Sequence, residues 1–188
     1  MSPRMKQSFP VRLLLSVACL VLATSLIHGD PSSTRQDKLN GGYYLFHHLC
    51  EDEDQLPILL VVKHAPKDIS TYTDEISKTA KESLTTLDRW HDNAPSLRFD
   101  QNPLPQIEQD VRASIKAGKQ HQLLFGTSNS EFVRALIVSQ IEACTYATNL
   151  CKVLADQETD TDRAKSLRQM SLRWQGMRDE AFRILRDY

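Results

Sequence analysis

The chain has 188 residues, the length of one domain, and its 23 Lys and Arg against 24 Asp and Glu give a net charge of −1. That balance offers no general field for nucleic acid or anionic lipid. With 40% hydrophobic residues there is enough apolar material for a buried core.

The first segment is not counted in that core. Arg4, Lys6 and Arg12 precede an apolar run over residues 13–27, and Ile27, His28 and Gly29 offer a small residue at a cut. This is the layout of a secretory signal peptide over residues 1–29. A spanning helix needs about 20 apolar residues, so an uncleaved N-terminal anchor is the lesser alternative. A lipoprotein reading through Cys19 is weaker still, because Ser16 stands where a lipobox wants Leu. Removal of residues 1–29 takes three basic residues and no acidic ones, leaving a net charge of −4. The expectation is a secreted or periplasmic protein that touches a membrane only if the leader is retained.

Residues 30–38 are polar and read as a flexible lead-in to a single domain over residues 39–188. The first helix is expected to run from about Thr34 or Gln36 to Cys50, with Leu39, Tyr43, Phe46 and Cys50 on one face. Gly41 and Gly42 weaken its opening, and the acidic residues 51–54 are expected to end or bend it. The apolar run from Leu56 to Val62 is ambiguous. It reads as a short buried helix beginning at Pro57, because no second strand is predicted to pair with it.

From Lys67 to His91, the residues Ile69, Tyr72, Ile76, Ala80, Leu84, Leu87 and His91 keep helical spacing. Pro95 and Pro103 then mark a crossover loop over residues 92–104. A further helix from Pro105 carries Ile107, Val111, Ile115, Gly118, Gln122 and Phe125 on its expected apolar face and stops at Gly126. The next begins almost at once, so the two should lie antiparallel. Ser128 and Glu131 form an S-x-x-E capping box there. Val133, Ile137, Gln140, Cys144, Ala147, Cys151 and Leu154 follow in steps of four and three, and Phe132, Leu136, Ala143 and Leu150 widen the seam. Everything else should pack around this helix. After a break at residues 157–161, Ala164, Leu167, Met170, Trp174, Met177, Ala181, Ile184 and Tyr188 define the last stripe. The predicted fold is all-α: an up-and-down bundle of four long helices with a short extra one.

Candidate chemistry is sparse. His47, His48, Glu51, Asp88 and His91 are fragments of a metal site, without the Glu-x-x-His pair that a di-iron bundle needs. They read better as ordinary surface pairs. C-x-x-C-H and G-x-S-x-G are absent from the sequence, and no Gly-rich loop precedes a helix. No cofactor and no catalytic residue is expected. Cys50, Cys144 and Cys151 remain after leader removal. Cys144 and Cys151 are about 10 Å apart along one helix and cannot join each other. Either all three are small buried hydrophobes, or Cys50 forms a disulfide with Cys144 or Cys151. Gln140, polar on an apolar seam, should pair with another buried polar group or line a small cavity with Tyr146. On the last helix Arg168, Arg173, Arg178, Arg183 and Arg186 form a basic face suited to a protein partner with an acidic surface, unless neighbouring carboxylates balance it.

Taken whole, the leader, the long paired helices, the Pro-bounded crossover and a second half opening on Phe132, Leu136 and Gln140 loosely resemble exported bacterial ferritin-like bundles of unknown function. The inward histidines usual in that group stand here as Lys78, Lys81 and Tyr146, so no functional residue carries over. The expected role is a non-catalytic interaction or scaffold protein of the cell envelope. The alternatives are a metal- or small-ligand-binding bundle and a secreted helical signalling factor.

Overall fold

A computed structural model describes residues 35–62, 65–125 and 128–188. The expected leader, His64 and Gly126 lie outside the described residues. Six helices follow one another: α1 (Arg35–Asp54), α2 (Leu56–Val62), α3 (Lys67–Asn93), α4 (Gln106–Phe125), α5 (Asn129–Gln157) and α6 (Thr161–Asp187). Every regular element among the described residues is therefore helical, and the apolar run from Leu56 belongs to a helix and not a strand.

Four of these helices form the core: α1, α3, α6 and α5 neighbour one another in that cyclic order. Cross-links fix their directions. His47 meets Asp88 while Ser77 donates to the Asp54 carbonyl; Glu82 meets Arg173 while Asp68 accepts from Tyr188. Ser171 donates to the Thr148 carbonyl while Arg134 donates to the Tyr188 carbonyl; and Tyr43 donates to Glu158 while Glu53 meets Gln140. Each neighbouring pair is thus antiparallel. It follows that α3 and α5, diagonal in the ring, point the same way. The chain must return to the starting end between them, and α4 is that return.

This position corrects the expectation for α4. Its predicted apolar face opens to solvent where Ile107 is 72% and Val111 44% exposed, while Leu123, off that face, is buried. The ring of four is already closed, so α4 rests on its outside through charged pairs, Lys116 to Asp52 at 2.9 Å and Lys119 to Glu142 at 2.7 Å.

Helix α1 also differs from the expectation at both ends. Residues 35–38, read as lead-in, are helical, and Arg35 donates to the Gln157 carbonyl at 2.7 Å. Its acidic end continues the helix to Asp54. The two glycines near its start have a packing reason. A Cβ at Gly41 would stand 2.7 Å from Cβ of Pro103, and one at Gly42 would stand 2.6 Å from Cδ2 of Leu154. Pro103 belongs to the crossover loop, which α1 also holds through Asn40, whose side-chain oxygen accepts from the Arg98 N–H at 3.2 Å. The predicted loop is thus packed tightly onto α1.

The organising role of α5 is as expected. Phe132, Val133, Leu136, Ile137, Ala143, Cys144, Ala147, Cys151 and Leu154 are all buried. At its start Glu131 accepts from the Ser128 N–H at 3.1 Å and from the Ser128 hydroxyl at 2.9 Å. Asp160 caps α6 by accepting from the N–H groups of Asp162 and Arg163, both at 2.9 Å.

Candidate functional site

The stripe Leu39, Tyr43, Phe46, Cys50 advances in steps of four and three, and the next step lands on Glu53. Because α1 runs on to Asp54, Glu53 faces the core and is fully buried. Opposite it on α5 stands Gln140, also fully buried. Neither carboxylate oxygen of Glu53 and neither polar atom of Gln140 makes a well-aligned hydrogen bond to another protein group. The sequence pattern put Gln140 on the seam but missed its neighbour. The signal was present in the heptad spacing and was hidden by reading residues 51–54 as a helix end. Tyr146, the other residue suggested beside Gln140, is instead half-buried next to Arg112.

Burial pushes the Glu53 carboxyl up to about 8, Asp52 adds to the shift, and the Gln140 amide and Lys116 ammonium oppose it. At neutral pH the group is mostly an uncharged acid, which suits an apolar core. Around it lie Cys50, Cys144 and Tyr72, each raised by its own burial first and then further by the nearby charges, Glu53 among them. Tyr72 donates to the Met177 carbonyl at 3.2 Å and approaches the Cys144 sulfur at 4.0 Å.

Cys50, Cys144 and Cys151 are free thiols in this structure, all fully buried. Neither of the disulfides considered for Cys50 is formed. Burial raises all three above the ordinary thiol range, the environment of small residues packed in a core.

Two of the histidines, His47 and His91, pack against Phe99 at the crossover. His47 lies 5.4 Å and His91 5.2 Å from its ring, and Tyr43 packs on it at 5.7 Å. His91 donates to the Leu97 carbonyl at 2.6 Å, His47 pairs with Asp88 at 3.1 Å, and His48 pairs with Glu51 at 2.8 Å. These contacts tie α1, α3 and the crossover together. Among the described residues no group of three or more His, Cys, Asp or Glu side chains is arranged to hold a metal ion.

Of the five arginines of the basic face, four meet carboxylates. Arg168 meets Asp156 at 3.7 Å, Arg173 meets Glu82, Arg178 meets Asp179 at 2.8 Å and Arg183 meets Glu180 at 2.6 Å. The face is therefore charge-balanced, although exposed pairs of this kind contribute only about 0–1 kcal/mol each and exchange readily. Arg186 lies on the exposed surface.

The seam between α3 and α6 is concave. A cavity of about 430 Å³ is lined by Lys67, Asp68, Tyr72, Glu75, Met177 and Arg183, and one of about 320 Å³ by Thr79, Glu82, Arg89, Gln169, Arg173 and Trp174. They follow one another along the two helices. The hydroxyl of Thr79 and the indole N–H of Trp174, both buried, make no hydrogen bond to another protein group. Arg173 and Arg183 thus stand over the groove, whereas the other arginines of the stripe are not among its lining.

No helix among the described residues is long and apolar enough to cross a membrane. Comparison with family models gives no match, and neither the curated proteins nor the solved structures compared with this chain match it.

Proposed function

We propose that this chain is an exported, non-catalytic interaction protein of the cell envelope that receives an acidic segment of a partner protein in the groove between α3 and α6. The observation that carries this reading is the open seam itself: two cavities in line, with Arg173 and Arg183 over them. Both arginines pair with exposed carboxylates, Arg173 with Glu82 and Arg183 with Glu180 and Asp187, which a partner's carboxylates can replace at small cost. Export rests on the leader-like residues 1–29. The return helix between the second and third core helices gives the bundle one long crossover, the connectivity of ferritin-like folds, and this supports the resemblance at the level of layout alone.

The test is site-specific photo-cross-linking in the intact cell. A cross-linker at Gln169, in the groove, should give a defined adduct that disappears on Arg173→Glu with Arg183→Glu. The same group at Lys152, exposed on α5, should give none. Equal adducts from both positions, or an adduct indifferent to charge reversal, would refute the reading.

A second reading, a bundle that binds a small polar ligand, is favoured by the unsatisfied buried groups of Thr79 and Trp174 in the groove. Native mass spectrometry of protein purified without chelators tests it. A stoichiometric adduct supports it, and bare protein mass opposes it.

A further inference from the structure

Glu53 is fully buried with neither carboxyl oxygen hydrogen-bonded to another protein group, and burying a carboxyl without aligned partners costs stability. Its surroundings are specific. Asp52 and Cys50 neighbour it along α1, Gln140 stands opposite it on α5 with Cys144 one turn further on, and charge couples it to Lys116 of α4, to Cys144 and to Tyr72 of α3. From α6, Arg178 acts on Cys144. Two of these neighbours lead outward. Lys116 holds the return helix to Asp52 at 2.9 Å, one residue from Glu53. Tyr72 touches Cys144 on its inner side and forms part of the wall of the larger α3–α6 cavity on its outer side.

We propose that Glu53 is a proton switch set behind the groove: uncharged, it donates to the side-chain oxygen of Gln140 and the core closes on it; ionised, it draws water or the Lys116 ammonium inward and moves Tyr72, reshaping the cavity that Tyr72 walls. The proton leaves to solvent, and no covalent bond is made or broken besides the O–H. A carboxylate in this position has no aligned donor, so the protein must either solvate it or reorganise around it. The cation facing it is Lys116, whose partner Asp52 is exposed enough to be re-solvated. The cysteines and Tyr72 are themselves held above the range in which Glu53 titrates, so a transition there reports Glu53 and not them. This switch does not depend on what the groove binds.

The experiment is a pH titration of the full chain followed by carbon-13 NMR of the Glu53 carboxyl and of the Tyr72 ring. The carboxyl should titrate with a midpoint near 8, the value set by its burial, and the Tyr72 signals should move with the same midpoint. In Glu53→Gln, which is isosteric and should fold, the Tyr72 transition should vanish. A wild-type carboxyl midpoint between 4 and 5 would overturn the proposal without reference to any variant. So would a Tyr72 ring unmoved while Glu53 titrates, or a Tyr72 transition that persists in Glu53→Gln.

Discussion

Glu158 shows how much one side chain can fasten. It follows α5, is buried, and accepts from the Tyr43 hydroxyl at 2.6 Å, from Arg163 at 2.9 and 3.0 Å, and from the Thr159 N–H at 2.8 Å. It joins α1, the α5–α6 turn and α6 at one point. Burial acts to raise its pKa, but the hydrogen bonds from Arg163 and Tyr43 prevail and hold the carboxyl at about 2. A carboxyl depressed in the fold contributes stability above its unfolded value, and that contribution is lost as pH falls from about 4.5 toward 2. Glu158→Ala leaves the buried Tyr43 hydroxyl and the Arg163 guanidinium without their partner. We expect a cost of about 3–5 kcal/mol in urea denaturation at pH 7. A loss below about 1 kcal/mol would remove Glu158 from this role. The glycines of α1 make a finer comparison. Gly41→Ala meets the rigid ring of Pro103, whereas Gly42→Ala meets the tip of Leu154, which can rotate away. Gly41→Ala should therefore destabilise by about 1–3 kcal/mol and Gly42→Ala by less, despite the better helix propensity of alanine at both. Equal melting temperatures for the two variants would contradict the packing described at Pro103.

At the scale of helices, the spacing of apolar residues located α3, α5 and α6 almost to their ends, because each buries a stripe that nothing else in the sequence interrupts. It misjudged α4. Ile107, Val111 and Ile115 have helical spacing, but periodicity says only that a face exists, not that the rest of the fold has room for it. The difference is measurable. Leu136→Ala on α5, fully buried, should cost about 2–5 kcal/mol. Ile107→Ala on α4, 72% exposed, should stay within about 0.5 kcal/mol of wild type. Comparable losses at the two positions would mean that α4 belongs to the core after all. The candidate site was legible only in part. Gln140, Arg173 and Arg183 stood out in the sequence. Glu53 was hidden because acidic residues in a run read as a helix end, and Thr79 and Trp174 because nothing in their spacing foretells which seam stays open. His47 and His91 were visible, but their common partner Phe99 sits in a loop whose path no periodicity predicts.

For the molecule as a whole, the ring of four helices explains why an acid at its centre keeps its proton: burial inside the ring, with Asp52 beside it on α1, favours the neutral form of Glu53 and outweighs Gln140 on α5 and Lys116 on α4, which oppose it. An acid raised in the fold keeps its proton after the unfolded chain has released its own. Unfolding therefore releases a proton between about pH 4.5 and 8, and stability falls as pH rises through that window. The most direct measurement is the free energy of unfolding from urea melts across pH 4.5 to 9, for wild type and Glu53→Gln together. The account predicts that the wild type loses stability relative to the variant, with a slope approaching about 1.4 kcal/mol per pH unit until it levels near pH 8. Parallel curves, or a wild type that gains on the variant as pH rises, would contradict it.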